Sequence, residues 1–350
     1  MDLSNVLLTF GMVAYVGIII FAANNEAINP QAPRLSRPLL FGVLGAMLLF
    51  ALLMLQAALF TNLGAPEALG SEVMPAVDPS AALINLVITG VLGLAGAWML
   101  WSVHPRMALK RLLGSGTGFD PESPVHTAAI VLTLALLVYT LGNLIIGGGL
   151  SGLAEEMTES GGVGVGETLL NQVLWGLAAL LGVGLFIRRS PAGAAARLGL
   201  RWPTLPDLIL GALTGVLMYF GIIAITAVWI AAVSPEQLAQ QTAVSQLLTQ
   251  SFNTLPIALL VSIAVAIGEE LFFRGALQPI FGLWMTTLFF AALHTQYTLT
   301  PASLGIFLVS LALGLLRRRT STSGAIIAHF VYNFIQLALA ILVSSVLGGQ

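Results

Sequence analysis

The sequence predicts an all-α protein: a polytopic transmembrane helix bundle of about ten spans with both termini extracytoplasmic. Three observations carry this. The chain of 350 residues is 57% hydrophobic and only 8% charged, with a mean hydropathy of +0.96, against about 25% charged residues in a soluble domain. Apolar runs recur at lengths that can cross a hydrocarbon core of about 30 Å. All thirteen Lys and Arg fall in alternate connections between those runs, which is the asymmetry the positive-inside rule describes.

In chain order the runs lie at about 3–23, 39–60, 81–103, 125–149, 168–187, 206–233, 255–273, 283–297, 302–316 and 324–347. No strand alternation competes with them, and helices satisfy their own backbone polar groups in lipid. The first run follows Met1-Asp2-Leu3-Ser4-Asn5, which lacks the basic start of a cleaved signal peptide, so it reads as a retained helix. The basic connections hold Arg34 and Arg37; Arg106, Lys110 and Arg111; Arg188, Arg189, Arg197 and Arg201; Arg274; and Arg317, Arg318 and Arg319. The intervening ones hold Glu67, Glu72 and Asp78, then Glu155, Glu156, Glu159 and Glu167, then Glu236. The basic side is cytoplasmic, so the protein is expected in the plasma membrane.

Several function classes drop out. A net charge of −2 gives no basic surface for nucleic acid. Zero cysteines exclude disulfides, thiolate metal sites and a cysteine nucleophile. The loop 188–205 is the expected boundary between an N-terminal region, 1–187, of unassigned role and a C-terminal domain, 206–350. Asn85, Asn143 and Gln172 read as interhelical hydrogen-bond partners, and Gly211 with Gly215 as a close helix crossing. The glycine-rich segments 114–118 and 161–166 read as flexible loops. His104 and His126 read as interfacial residues.

The chemistry concentrates in Ala266-Ile267-Gly268-Glu269-Glu270-Leu271-Phe272-Phe273-Arg274-Gly275. A carboxylate at the centre of a membrane helix costs about 2.5–3.5 kcal/mol on insertion scales, and here two are adjacent. Glu270 and Arg274, four apart, share a helix face and can pair. Glu269 sits about 100° round and has no helical neighbour of opposite charge, so it is the carboxylate free for chemistry. Downstream, His294 follows Phe290 by four residues and His329 precedes Asn333 by four, each pair within an apolar run. Buried ionisable groups mark function by default. The plainer reading is that His294, His329 and Asn333 only hydrogen-bond the two glutamates and fasten helices.

Glu269-Glu270-Leu271-Phe272-Phe273-Arg274, Phe290-x-x-x-His294 and His329-x-x-x-Asn333 resemble the EExxxR, FxxxH and HxxxN/B motifs of the CPBP family. That family includes type II CAAX prenyl endopeptidases, bacteriocin-processing and immunity proteins, and Abi proteins. The likeness covers about 255–347. It implies an intramembrane endopeptidase acting on a membrane-associated or prenylated peptide or protein, with its cavity facing the cytoplasm or the bilayer. By resemblance, Glu269 activates water, His294 helps hold it, and His329 and Asn333 donate to the oxyanion, with Glu270 and Arg274 in support. A buried carboxylate base and fixed donors suit peptide hydrolysis.

No cofactor is expected. Zinc is the alternative, drawing on Glu269, Glu270, His294 and His329, since two His and a Glu can make a catalytic site; no HExxH occurs. The rival functions are a non-catalytic family member, a proton- or cation-coupled transporter using the same groups, or a scaffold. One mismatch stands: His294 counts about 17 Å into its run, deeper than Glu269 and His329, unless that helix starts later or tilts steeply.

Overall fold

The structure, a computed structural model, describes residues 3–29, 31–62, 77–297 and 302–347. Among these it is helical throughout, with one isolated bridge, Leu185 to Arg189, and no strand. Glu67 and Glu72 lie outside the described residues. The helices are α1 (Leu3–Ile28), α2 (Ser36–Asn62), α3 (Pro79–Trp101), α4 (His104–Leu113), α5 (Pro124–Ile146), α6 (Gly149–Glu159), α7 (Val165–Gly182), α8 (Pro191–Leu198), α9 (Leu205–Ala232), α10 (Pro235–Thr249), α11 (Leu255–Glu270), α12 (Gln278–Leu293), α13 (Ala302–Arg319) and α14 (Thr322–Leu347). A π-helical turn, Leu271–Leu277, joins α11 to α12.

Seven helical segments among the described residues are long and apolar enough to cross a membrane. They account for the first four expected runs, the sixth and the last. The seventh run and most of the eighth fall inside a single segment, Leu255–Leu293. The fifth and ninth correspond to α7 and α13, which carry Glu167 in the first turn and Arg317, Arg318 and Arg319 in the last. Arg274, grouped above with the basic connections, is no loop residue: it is 1% exposed inside the π-helical turn.

The chain divides into two compact units, Met1–Gly114 with Asp120–Leu153, and Ser115–Phe119 with Ala154–Gln350. In the first, α1, α2, α3 and α5 bury Ile19, Leu40, Leu100 and Val131 in one core. Pro79 starts α3 behind Asp78, whose carboxylate accepts from the Ser80 and Ala81 amides, the cap an exposed N-terminus calls for. Asn85 is buried against Gly142, where a Cβ would come within 2.6 Å of its Oδ1. Asn143, by contrast, is exposed. His104 and His126 each bond beside a helix start, to Ser102 Oγ and the Asp120 amide.

In the second unit α9 packs on α14. A Cβ on Gly211 would lie 2.9 Å from Ile327 Cγ2, and one on Gly215 only 2.6 Å from the Ala328 carbonyl. The four-residue glycine spacing thus lets α9 reach the backbone of the helix that carries His329. The N-terminus of α14 is tied down by a buried carboxylate. Asp207, fully buried in a capping box with Thr204, accepts from Ser321 Oγ at 2.7 Å and from Arg201 at 3.1 Å. Ser323 Oγ donates to the Arg201 carbonyl and Thr322 Oγ1 to that of Leu198.

The segment through α12 is interrupted at Gly282, whose φ of 76° and ψ of 178° suit glycine alone. The segment 115–119 braces this break: the Gly118 amide donates to the Pro279 carbonyl at 2.8 Å, and Phe119 packs on Phe281. The glycine-rich stretch 114–118 is therefore structural at its end. The regular turns from 283 to 293 are about 17 Å long.

Candidate active site

Glu270 and Arg274 are four residues apart across the junction of α11 and the π-helical turn, so the ion pair forms as expected, Nε to Oε2 at 3.3 Å. Glu270 is fully buried and Arg274 1% exposed. The other oxygen, Oε1, lies 2.9 Å from His329 Nδ1 on α14. Arg274 Nη2 donates to the carbonyl and hydroxyl of Ser310 on α13, at 3.0 and 3.1 Å. One buried carboxylate thus links α11, the π-helical turn and α14, and its cation adds α13. Each charge is compensated, which burial demands.

Phe290 is the aromatic hub. Fully buried on α12, it lies beneath the Arg274 guanidinium at 4.7 Å, within cation–π range. His294 stacks on it at 4.3 Å and His329 meets it at 6.4 Å, near edge-on. His294 Nδ1 is 2.7 Å from the Phe290 carbonyl at the C-terminus of α12. The depth mismatch noted for His294 is not removed by a later helix start, since the break falls at Gly282. The contacts of Phe290 nevertheless bring the end of α12 beside the other two motifs.

Glu269 stands apart from these bonds. It is half-buried, and its Oε2 is enclosed without a protein hydrogen-bond partner among the described residues. Asn333 is half-buried one turn beyond His329 on α14, with no hydrogen bond seen to the other site residues. Behind Glu269 the helix is held close to α7. A Cβ on Gly268 would lie 2.6 Å from Gln172 Oε1 and 2.7 Å from the Gln172 carbonyl, so Gln172 serves at a helix crossing. Trp175 of α7 packs edge-on against Phe272 at 4.5 Å.

The π-helical turn has its own support, which sequence reasoning missed. Arg317 Nε donates to the Arg274 carbonyl at 3.1 Å. Arg197 donates to the Gly275 carbonyl at 3.0 Å and reaches that of Ala276 at 3.5 Å. A π-helical turn leaves carbonyls out of the i→i−4 register, and these two guanidiniums take them up. Burial, then the charges of Arg189, Arg317 and Arg188, push Arg197 down to about 10, so it remains a cation at neutral pH. Asp207, equally unforeseen, holds the other end of the helix that carries His329.

The zinc alternative would draw on Glu269, Glu270, His294 and His329. Among the described residues no three His, Asp or Glu side chains are grouped to hold an ion, and both oxygens of Glu270 are engaged, one by the cation of Arg274.

Comparison with known proteins follows the same stretch. Residues 251–335 match the family model of Rce1-like type II CAAX prenyl endopeptidases. The resemblance read from the three motifs and this match fall on the same stretch. The matched segment contains Glu269, Glu270, Arg274, Phe290, His294, His329 and Asn333, in a chain with several helices long and apolar enough to cross a membrane. The chain is also similar to the uncharacterized protein YpbD of Bacillus subtilis (strain 168), 43% identical over 47 residues. That alignment covers 13% of this chain and 25% of the relative, so the chain spans only a quarter of that protein. No solved structure matches.

Proposed function

We propose that the chain is a glutamate-type intramembrane endopeptidase that hydrolyses a peptide bond of a membrane-associated or prenylated substrate. The observation that carries this is the division of labour between adjacent carboxylates. Glu270 is consumed by Arg274 and His329, while Glu269 keeps an enclosed oxygen without a protein partner.

In this reading Glu269 takes a proton from water as the water oxygen attacks the scissile carbonyl carbon. The carbonyl oxygen becomes the oxyanion, and the carbon–nitrogen bond then breaks as Glu269 returns the proton to the leaving amine. His294, stacked on Phe290, helps hold the water. His329 and Asn333, one turn apart, donate to the oxyanion. Glu270 holds His329 at Nδ1, which fixes the ring and leaves Nε2 for the oxyanion, where it donates when it carries a proton.

The same reading assigns 206–350 as the catalytic domain, 188–205 as a cytoplasmic connection and 1–187 as a separate N-terminal region. It keeps ten crossings with both termini outside. Arg197 and Arg317 reach the carbonyls of residues 274–276, which sets the motif-bearing turn at the level of basic connections and supports a site near the cytoplasmic side of the plasma membrane.

The test is purified full-length protein in lipid vesicles on a panel of prenylated and unprenylated C-terminal peptides, with and without a strong chelator, beside Glu269→Gln. Chelator-resistant cleavage that Glu269→Gln abolishes is expected. A scaffold reading is favoured by the mutual satisfaction of Glu270, Arg274 and His329. It predicts no cleavage by any variant and only altered stability.

A further inference from the structure

The first unit holds a cavity of about 470 Å³ that plays no part in the chemistry above. It lies where α1 ends and α2 begins, and where α3 ends and α5 begins, so it sits at one membrane face, among basic connections. Three arginines line it: Arg34 and Arg37, both exposed at its mouth, and Arg106, buried in its wall. Among the described residues none of the three has an ion-pair partner.

Two carboxylates, Glu26 and Glu122, also line the cavity, one fewer than the arginines. Glu26 accepts from the amide and hydroxyl of Ser36, both at 2.7 Å, and Glu122 is exposed at the rim. Arg106 spends Nη1 on the Pro121 carbonyl and Thr127 Oγ1, at 2.6 and 2.9 Å, and Nε on the Ser102 carbonyl. Those bonds fix the guanidinium and leave Nη2 free of them. Burial, then the charge of Arg37, hold Arg106 below its ordinary value against the smaller opposite pull of Glu122 and Asp120, so the two cations act on one another. Clustered guanidiniums with a hydroxyl beside them form a phosphate site in want of its anion.

The surroundings say which phosphate. Leu100 lines the cavity, and the neighbouring Trp98 and Trp101 on α3 are 60% and 85% exposed. Outward-facing tryptophans mark the headgroup level of a bilayer. Ile28, Leu35 and Phe41, flanking the arginine segment, are exposed apolar side chains that acyl chains can cover. A basic pocket between helix ends at this level suits a lipid phosphate. We infer that the cavity binds the headgroup phosphate of an anionic phospholipid, through Arg34, Arg37 and Arg106. This does not depend on the protease reading.

The experiment measures saturable binding to the full-length protein in neutral detergent by native mass spectrometry, with phosphatidylglycerol, phosphatidylcholine and inorganic phosphate as separate probes. Arg34 and Arg37 are exposed, so Arg37→Gln and the double variant Arg34→Gln, Arg37→Gln are expected to fold, with unfolding temperatures as the check. Arg319→Gln, in the other unit, is the control. Saturable phosphatidylglycerol binding should weaken about fivefold in the single variant and about twenty-fivefold in the double, at the strength of one surface arginine each. Arg319→Gln should leave it unchanged, and phosphatidylcholine should not compete. Absence of saturable binding, affinity unaltered in the double variant, or an equal loss in Arg319→Gln would overturn the inference. Inorganic phosphate binding as tightly as the lipid would overturn the lipid assignment.

Discussion

His329 is anchored on Glu270, its Nδ1 2.9 Å from Oε1 across 59 residues of sequence. The bond joins α14 to the end of α11 and commits one ring nitrogen of the histidine. What remains for chemistry is Nε2.

That geometry predicts which substitution can keep the donor. If His329 donates to the oxyanion from Nε2, a side-chain amide can take its place and a methyl group cannot. His329→Gln should retain weak cleavage, while His329→Ala should lose about a hundredfold or more. Rates measured on both variants, with unfolding temperatures beside them, check this.

The buried pair should be asymmetric in its response to mutation. Arg274→Leu leaves the Glu270 charge in the interior with one partner fewer, and removal of one member of a buried pair costs about 3–5 kcal/mol. Replacing both, Glu270→Gln with Arg274→Met, should cost less than the sum of the single changes. Denaturant unfolding in detergent, arranged as a double-mutant cycle, reads the coupling.

Support of the π-helical turn from outside is testable by local opening. Arg197→Ala and Arg317→Ala each remove a charged donor from carbonyls of residues 274–276, a bond type worth about 1.5–3 kcal/mol. Faster hydrogen exchange in the peptide covering 271–279 is expected in both variants, with α1 to α3 unchanged. Equal exchange would show that the turn holds itself.

At the crossing of α9 and α14, Gly215→Val should be severe. Its Cβ alone would lie 2.6 Å from the Ala328 carbonyl and 2.8 Å from Val331 Cβ, and backbone cannot yield as a flexible side chain does. Overpacking of this kind costs about 1–3 kcal/mol or more, and here it also displaces the neighbour of His329. Gly221→Ala on the same helix meets nothing within 4 Å and should be neutral or stabilising by up to about 1 kcal/mol. Thermal unfolding of both variants decides it.

Features governed by helical periodicity were legible in the sequence. The Glu270–Arg274 pair, the Phe290–His294 stack and the glycine crossing all follow from four-residue spacing. What escaped was backbone that departs from the α-helix. Nothing in Leu271–Leu277 announces a π-helical turn, and with it the burial of Arg274 and the tasks of Arg197 and Arg317 were hidden. Gly282 breaks the helix inside Leu255–Leu293, whereas hydropathy alone divided that segment into two runs. Asp207 escaped because its partner Ser321 lies more than a hundred residues away, and a lone Asp at a helix start reads as a cap. The end of the 114–118 segment read as slack because its partner, the Pro279 carbonyl, is a backbone group.

The most direct measurement compares Glu269→Gln with Glu270→Gln in reconstituted protein, reading kcat/KM on a cleaved peptide together with the unfolding temperature. Glu269→Gln should unfold like the parent and lose at least about a thousandfold in rate, the upper part of the range for a general base, while Glu270→Gln should unfold at lower temperature. A folded Glu269→Gln protein that cleaves within a few-fold of the parent would contradict the account.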